Sequence, residues 1–126
     1  MQKLPQSKVQ AFREQMLADQ HGRCMLCCET VTDDAVLDHD HKTGRLRGVL
    51  HRGCNALLGH IENNRARNGL SGPRLFRMLE RIETYLTKSY DHNPLHYTHR
   101  TDEQKRIRRN KLASASRARR KAAAES

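Results

Sequence analysis

All four cysteines of the chain fall between Cys24 and Asn55, together with a run of alternating aspartate and histidine. The stretch opens on Cys24-Met-Leu-Cys27, closes on His51-Arg-Gly-Cys54 followed by Asn55, and holds Leu37-Asp38-His39-Asp40-His41 in between. Two ligands separated by two residues on a tight turn approach an ion from the same side. Two such pairs therefore complete the tetrahedron of thiolate and imidazole that suits Zn2+. Cys24, Cys27, His51 and Cys54 are expected to hold a structural zinc. The plainer alternative, ordinary buried cysteines and a surface histidine, leaves their clustering unexplained. Cys24-x-x-x-Cys28 is also a permitted spacing; Cys27 is preferred as the ligand, with Cys28 as a small apolar filler. The chain starts Met-Gln-Lys-Leu, without an apolar signal segment, so an oxidising compartment and a disulfide framework are not expected.

A second, harder chemistry lies in Asp38-His39-Asp40-His41. Carboxylate and amide oxygens suit Mg2+ or another hard divalent ion, and a neutral imidazole takes a proton from water near neutral pH. Asn55 could supply the amide oxygen. On a strand, Asp38 and Asp40 project from one face and His39 and His41 from the other. Adjacent residues of the run reach one centre only from a bent or terminal strand, as beside a turn. Aspartates and histidines are also common in polar loops. Here the position between two zinc half-sites, with an asparagine after the last ligand, favours function.

These side chains need elements to hold them. Val36-Leu37 leads into the run, Lys42-Thr43-Gly44 reads as a turn, and Arg45 to Leu50 returns as a second strand. Upstream, Ser7-x-x-Gln10 reads as a capping box, and Val9, Phe12, Met16 and Leu17 recur at helical spacing, giving a helix over Lys8 to Gln20 packed on the hairpin. Met1 to Gln6 is expected to be disordered. Downstream, Asn55 begins a short helix through Ile61, whose N-terminus would face the metal and a phosphate. Asn63 to Gly72 reads as a polar loop. Pro73 then opens a helix with Leu75, Leu79, Ile82 and Leu86 in a stripe that Phe76 and Tyr85 widen.

Tyr90 to Thr101 reads as a connector, its His92, His96 and His99 solvated; His60 is likewise read as solvated. The end, Arg100 to Ser126, holds ten Lys or Arg against three acids and carries most of the net charge of +10. A helix is expected from Thr101-x-x-Gln104 through Lys111, then a flexible end; the tail would bind phosphate without reading sequence, weakening as salt rises. At 126 residues with 4% aromatics the chain has one thin-cored domain and a tail, which zinc would help to hold. The division expected is a zinc-containing domain over 1–90 and a connector with basic tail over 91–126. No run approaches membrane-spanning length.

Cys24-x-x-Cys27, Leu37 to His41, Gly44 to Leu50 and Cys54-Asn55 together closely resemble the phage recombination endonuclease VII family, within the HNH or ββα-metal nuclease superfamily. The resemblance extends more weakly to Phe12–Cys24 and Asn68–Tyr85. It implies an α+β fold, a zinc-stapled ββα-metal core with flanking helices, and a DNA endonuclease. It implies Asp38 and Asn55 as ligands of a catalytic Mg2+ or Mn2+, His39 as general base, His41 as a second active-site histidine on the phosphate, and Cys24, Cys27 and Cys54 as zinc ligands. It also implies products with 5'-phosphate and 3'-hydroxyl ends, work in the cytoplasm of a phage-infected cell, and a homodimer as one available arrangement.

Two positions depart from the pattern. His51 stands where cysteine is usual, which keeps zinc chemistry. The acidic residue expected shortly after the asparagine is replaced by Leu57-Leu58-Gly59, so any acidic contribution to the catalytic ion is not expected there. Arg45, Arg47 and Arg52 could grip DNA backbone or be plain surface charge. Three functions compete: a branch-resolving nuclease, a free-standing homing or nicking endonuclease, and a zinc DNA-binding module without catalysis.

Overall fold

The computed structural model describes residues 2–126. A 3-10 turn at Gln6–Lys8 leads into α1 (Val9–Asp19). There follow β1 (Ala35–His39), β2 (Leu46–His51), α2 (Arg52–Arg67), α3 (Gly72–Thr87) and α4 (Asp102–Glu125). β1 and β2 form one antiparallel pair. This is the α+β class and the strand–strand–helix order expected. The chain divides into a compact unit ending at Glu83 and a second, Thr84–Ser126.

In the first unit the core is small: Cys24, Val31 and Leu50 are buried together, with Leu17, Ala35, Cys54 and Leu58 packed against them. One residue of α1, one of each strand and two of α2 meet there, so the hairpin is held between helices. Just after α1, Gln20 ties that helix to β2. Its side chain accepts from the Val49 backbone N–H at 2.8 Å and donates to the Val49 carbonyl at 2.9 Å. The amide thus pairs with the strand edge as another strand would, and Val49 is fully buried. Gly48 lets this happen, because a Cβ there would lie 3.0 Å from Met25 Cγ and 3.3 Å from Gln20 Oε1.

The hairpin turn is built by Asp40. Its Oδ1 accepts from the backbone N–H groups of Lys42 at 2.7 Å and Thr43 at 3.0 Å, and the Asp40 carbonyl accepts from Gly44. Gly44 has φ of 75°, a conformation that costs a side-chain-bearing residue energy. The register then slips by one. Asp38 pairs with Gly48 but His39 pairs with Leu46, which makes Arg47 the extra residue of a β-bulge.

Several local expectations are corrected. α1 has Lys8 as N-cap with no side-chain cap bond, so the Ser7 capping box is not formed; the 3-10 turn supplies the lead-in instead. Gln2 to Pro5 has no regular structure, while the disorder expected at Met1 falls outside the described residues. α2 starts at Arg52, three residues before Asn55, and runs to Arg67, through the first half of the segment read as a loop. Its polar residues mark an exposed helix face, and the chain turns only at Asn68-Gly69, where Gly69 has φ of 69°. α3 begins at Gly72 with Pro73 second, and Ser71 Oγ accepts from the Arg74 N–H.

Of the α3 stripe only Leu75 is buried; Phe76, Leu79, Ile82, Tyr85 and Leu86 remain exposed. In the second unit, Thr101 and Gln104 form the expected capping box. The helix does not stop at Lys111. It continues to Glu125, because Ala, Arg and Lys are strong helix formers and need no packed face to propagate a capped helix. Among the described residues no helix is long and apolar enough to cross a membrane.

Candidate functional site

The Cys24–Cys28 turn is a knuckle. The Cys28 N–H donates to the Cys24 carbonyl at 3.0 Å, the Cys24 N–H donates to the Glu29 carbonyl at 2.9 Å, and an isolated bridge joins Arg23 to Thr30. Across from it, β2 ends at His51, which is also the N-cap of α2, and Cys54 lies in the first turn. The ligand atoms of Cys24, Cys27, His51 and Cys54 all lie within 4.8 Å of one another. Tetrahedral Zn–S bonds of about 2.3 Å put sulfurs roughly 3.8 Å apart, so the four need only a small contraction to fit zinc. Cys28 sits outside the group with φ of 65°, a left-handed conformation that closes the knuckle. Of the two permitted spacings, Cys24-x-x-Cys27 is the one whose thiols belong to the converging group.

The environment of His51 suits a ligand. Nε2 lies 3.0 Å from the Thr30 carbonyl, which only accepts, so Nε2 carries the proton and Nδ1 is left for the sulfurs. Nδ1 lies 3.2 Å from Cys27 Sγ and 3.9 Å from Cys54 Sγ. The Thr30 carbonyl, then Cys24, holds the imidazole proton up to about 9. Burial pushes the Cys24 thiol up, but backbone N–H groups of Cys27, Leu26 and His51 and the His51 ring outweigh it and bring it down to about 6. Burial and the neighbouring Cys27 and Cys24 raise Cys54 to about 11. The surroundings thus favour the thiolate at Cys24 and the thiol at Cys54.

The helix start therefore belongs to this cluster. Asn55 follows Cys54 by one residue, about 100° around α2, and so faces elsewhere. It lines an open cleft of about 300 Å3 with Asp38, His41, Gly59, His60 and Glu62. The bent strand end brings His41 to the same side as Asp38, which regular alternation would forbid. His39, at the end of β1, is exposed and is not among the described residues lining the cleft; its ring centroid lies 4.7 Å from that of His41 at 56°. Asp40 is occupied with the turn, where the Thr43 and Lys42 N–H groups hold its carboxyl below the usual range. His60, read as solvated, is exposed at the rim.

Asp38 is buried, with 7% of its surface exposed, and its partner is Arg47. Arg47 Nε donates to Oδ2 at 2.7 Å and Nη2 to Oδ1 at 3.1 Å. The same guanidinium donates from Nη1 to Glu62 Oε2 at 3.2 Å and from Nη2 to Oε1 at 3.1 Å. Asp38, then Glu62, raises the Arg47 pKa well above its ordinary value. Glu62 is the cleft residue that sequence reasoning misses. The pattern places the missing acid within one turn of Asn55 and ends the helix at Ile61. A helix drawn two turns further puts Asn55, Gly59 and Glu62 on one face at i, i+4 and i+7.

A zinc-suited cluster beside a cleft of aspartate, asparagine and histidine is an arrangement that a family comparison accounts for. The model of recombination endonuclease VII matches residues 2–88. That match covers more than half of the chain and includes both the Cys/His cluster and the cleft, so the chain belongs to the recombination endonuclease VII family, whose activity is that of a DNA endonuclease.

Proposed function

We propose that the chain is an HNH-type endonuclease that hydrolyses DNA phosphodiester bonds with the help of a divalent ion at Asp38 and Asn55. The observation that carries this reading is that Asp38, Asn55 and His41 line one open cleft. The donor set fits a hard cation: one carboxylate, one amide oxygen and room for water and phosphate oxygens. Mg2+ or Mn2+ held there would stabilise the charge that develops on phosphate and leaving oxygen. His39 takes the proton from the attacking water, and His41 orients the phosphate by a hydrogen bond from its ring. Zinc on Cys24, Cys27, His51 and Cys54 is structural, since four protein ligands leave it no open position.

One observation favours a second reading, in which the two histidines exchange roles: His41, not His39, lines the cleft. A plasmid-nicking assay with Mg2+ or Mn2+ tests both. His39→Ala is expected to keep zinc and fold while losing cleavage by about 10²-fold or more, with partial rescue by added imidazole. Rescue of His41→Ala but not of His39→Ala would exchange the roles. Equal cutting by both variants and the unmutated chain would end the reading. A four-way junction compared with linear duplex separates a branch-resolving enzyme from a nicking one. The exposed apolar residues of α3 are the surface on which two copies would associate, and α4 adds charge that holds phosphate without reading bases.

A further inference from the structure

Arg47 does more than neutralise a surface. It is the bulged residue of β2, and the bulge turns its side chain toward Asp38. Both Asp38 oxygens accept from one edge of the guanidinium, and both Glu62 oxygens accept from another. Glu62 and Asp38 line the same cleft, Glu62 two turns along α2 from Asn55. Arg47 thus bridges the two carboxylates of the cleft, one positive group bonded to two negative ones, where a divalent cation is proposed to bind.

A cation approaching Asp38 meets a carboxylate already engaged on both oxygens and a fixed positive charge beside it. In a partly buried site that repulsion is weakly screened. Breaking a buried Arg–Asp pair outright is costly, because it strands a charge. Glu62 removes that cost: a guanidinium that leaves Asp38 keeps its second fork, and a third of the Arg47 side chain is already in contact with solvent.

We propose that Arg47 is a displaceable counter-cation that competes with the divalent ion for Asp38, and that Glu62 is the partner that receives it. The inference rests on Asp38 being an ion ligand. It assigns Arg47 and Glu62 as positioning residues that set how tightly, and how selectively against monovalent charge, the cleft takes its ion. Only a +2 ion offers Asp38 more than the guanidinium does.

The test is Mn2+ affinity of the zinc-loaded chain, read from the free-Mn2+ resonance in titration. Arg47→Gln is expected to tighten Mn2+ on the order of tenfold. Arg45→Gln, which removes the same charge from the same hairpin without touching Asp38, should leave affinity nearly unchanged. Glu62→Gln should weaken Mn2+ in the unmutated background and have little effect once Arg47→Gln is present. A purely structural Arg47 would give the opposite sign, since its loss would loosen the site.

Unchanged or weaker Mn2+ binding in Arg47→Gln overturns the competition. Equal loss from Glu62→Gln in both backgrounds overturns its role as receiver. Binding abolished by Asp38→Asn but indifferent to Arg47→Gln sinks the counter-cation alone. Binding indifferent to Asp38→Asn sinks the ion site, and the counter-cation with it. Zinc content and helicity confirm folding, and Arg47→Lys, which keeps the charge and loses the fork, gives the same sign more weakly if Arg47→Gln does not fold.

Discussion

The Cys/His cluster and the Asp38 cleft are built from the same hairpin and the same helix, yet they are opposite kinds of site. In the cluster four soft ligands already converge within 4.8 Å, and one thiol is held down at about 6. The cleft is open, and its one buried carboxylate is engaged by an arginine. The first arrangement suits an ion that stays; the second suits an ion and a substrate that come and go. Consecutive residues separate them, Cys54 turning to the sulfurs and Asn55 to the cleft. A cluster suited to holding the fold and a cleft suited to chemistry can therefore share a helix turn without sharing a residue.

The sharpest way to break this contrast is to remove one ligand from each. Cys24→Ser should abolish stoichiometric zinc and lower the unfolding midpoint steeply, because so few residues are buried that metal binding would supply a large share of the folding free energy. Asp38→Asn should retain zinc and cost no more than about 2 kcal/mol, since Arg47 keeps Glu62. It should still lose cleavage. Zinc analysis, thermal melts and nicking assays on the two variants check this, and a folded, zinc-bound Cys24→Ser chain would erase the distinction.

A smaller effect is expected from pH on the chain stripped of metal. Cys24, at about 6 in the fold against about 8.5 when unfolded, contributes stability that is complete above the unfolded value and lost as pH falls through 6. His51, at about 9 against about 6.5 unfolded, contributes below the unfolded value and loses it as pH rises through 9. Cys54, raised to about 11, subtracts above its own unfolded value. Protection of the Val49 and Leu50 amides in hydrogen exchange should therefore peak between about pH 6 and 9. Protection still rising at about pH 10 would show that the thiolate–imidazolium pair does not form.

The smallest effect belongs to α4, outside both sites. Replacing Arg117, Arg119 and Arg120 with Gln should weaken DNA binding uniformly across sequences. It should also flatten the salt dependence by roughly one unit of slope for each phosphate no longer neutralised, without altering the cleavage rate at saturating DNA. A changed cleavage rate at saturation would tie α4 to the chemistry.

Much of this was legible in the chain. The Cys-x-x-Cys and His-x-x-Cys pairs announce themselves because a tetrahedral ion dictates short, local spacings. The hairpin shows in Val36-Leu37, Lys42-Thr43-Gly44 and Val49-Leu50, and α1 in its apolar spacing. What misleads is length: α2 and α4 both run past the point where apolar residues thin out, since exposed Arg, Lys and Ala prolong a helix once packing or a cap has started it. An early end for α2 hides Glu62.

The sequence by itself determined which atoms are available: three thiols and an imidazole at zinc spacing, and an aspartate, an asparagine and two histidines beside them. Tertiary structure decided which of those atoms meet. A one-residue slip in register, which no local propensity encodes, turned Arg47 onto Asp38. Two turns of α2 brought Glu62 to the same wall. Contacts between residues far apart in the chain depend on where whole elements dock, and that is fixed by the shared core of Cys24, Val31 and Leu50 rather than by any single stretch.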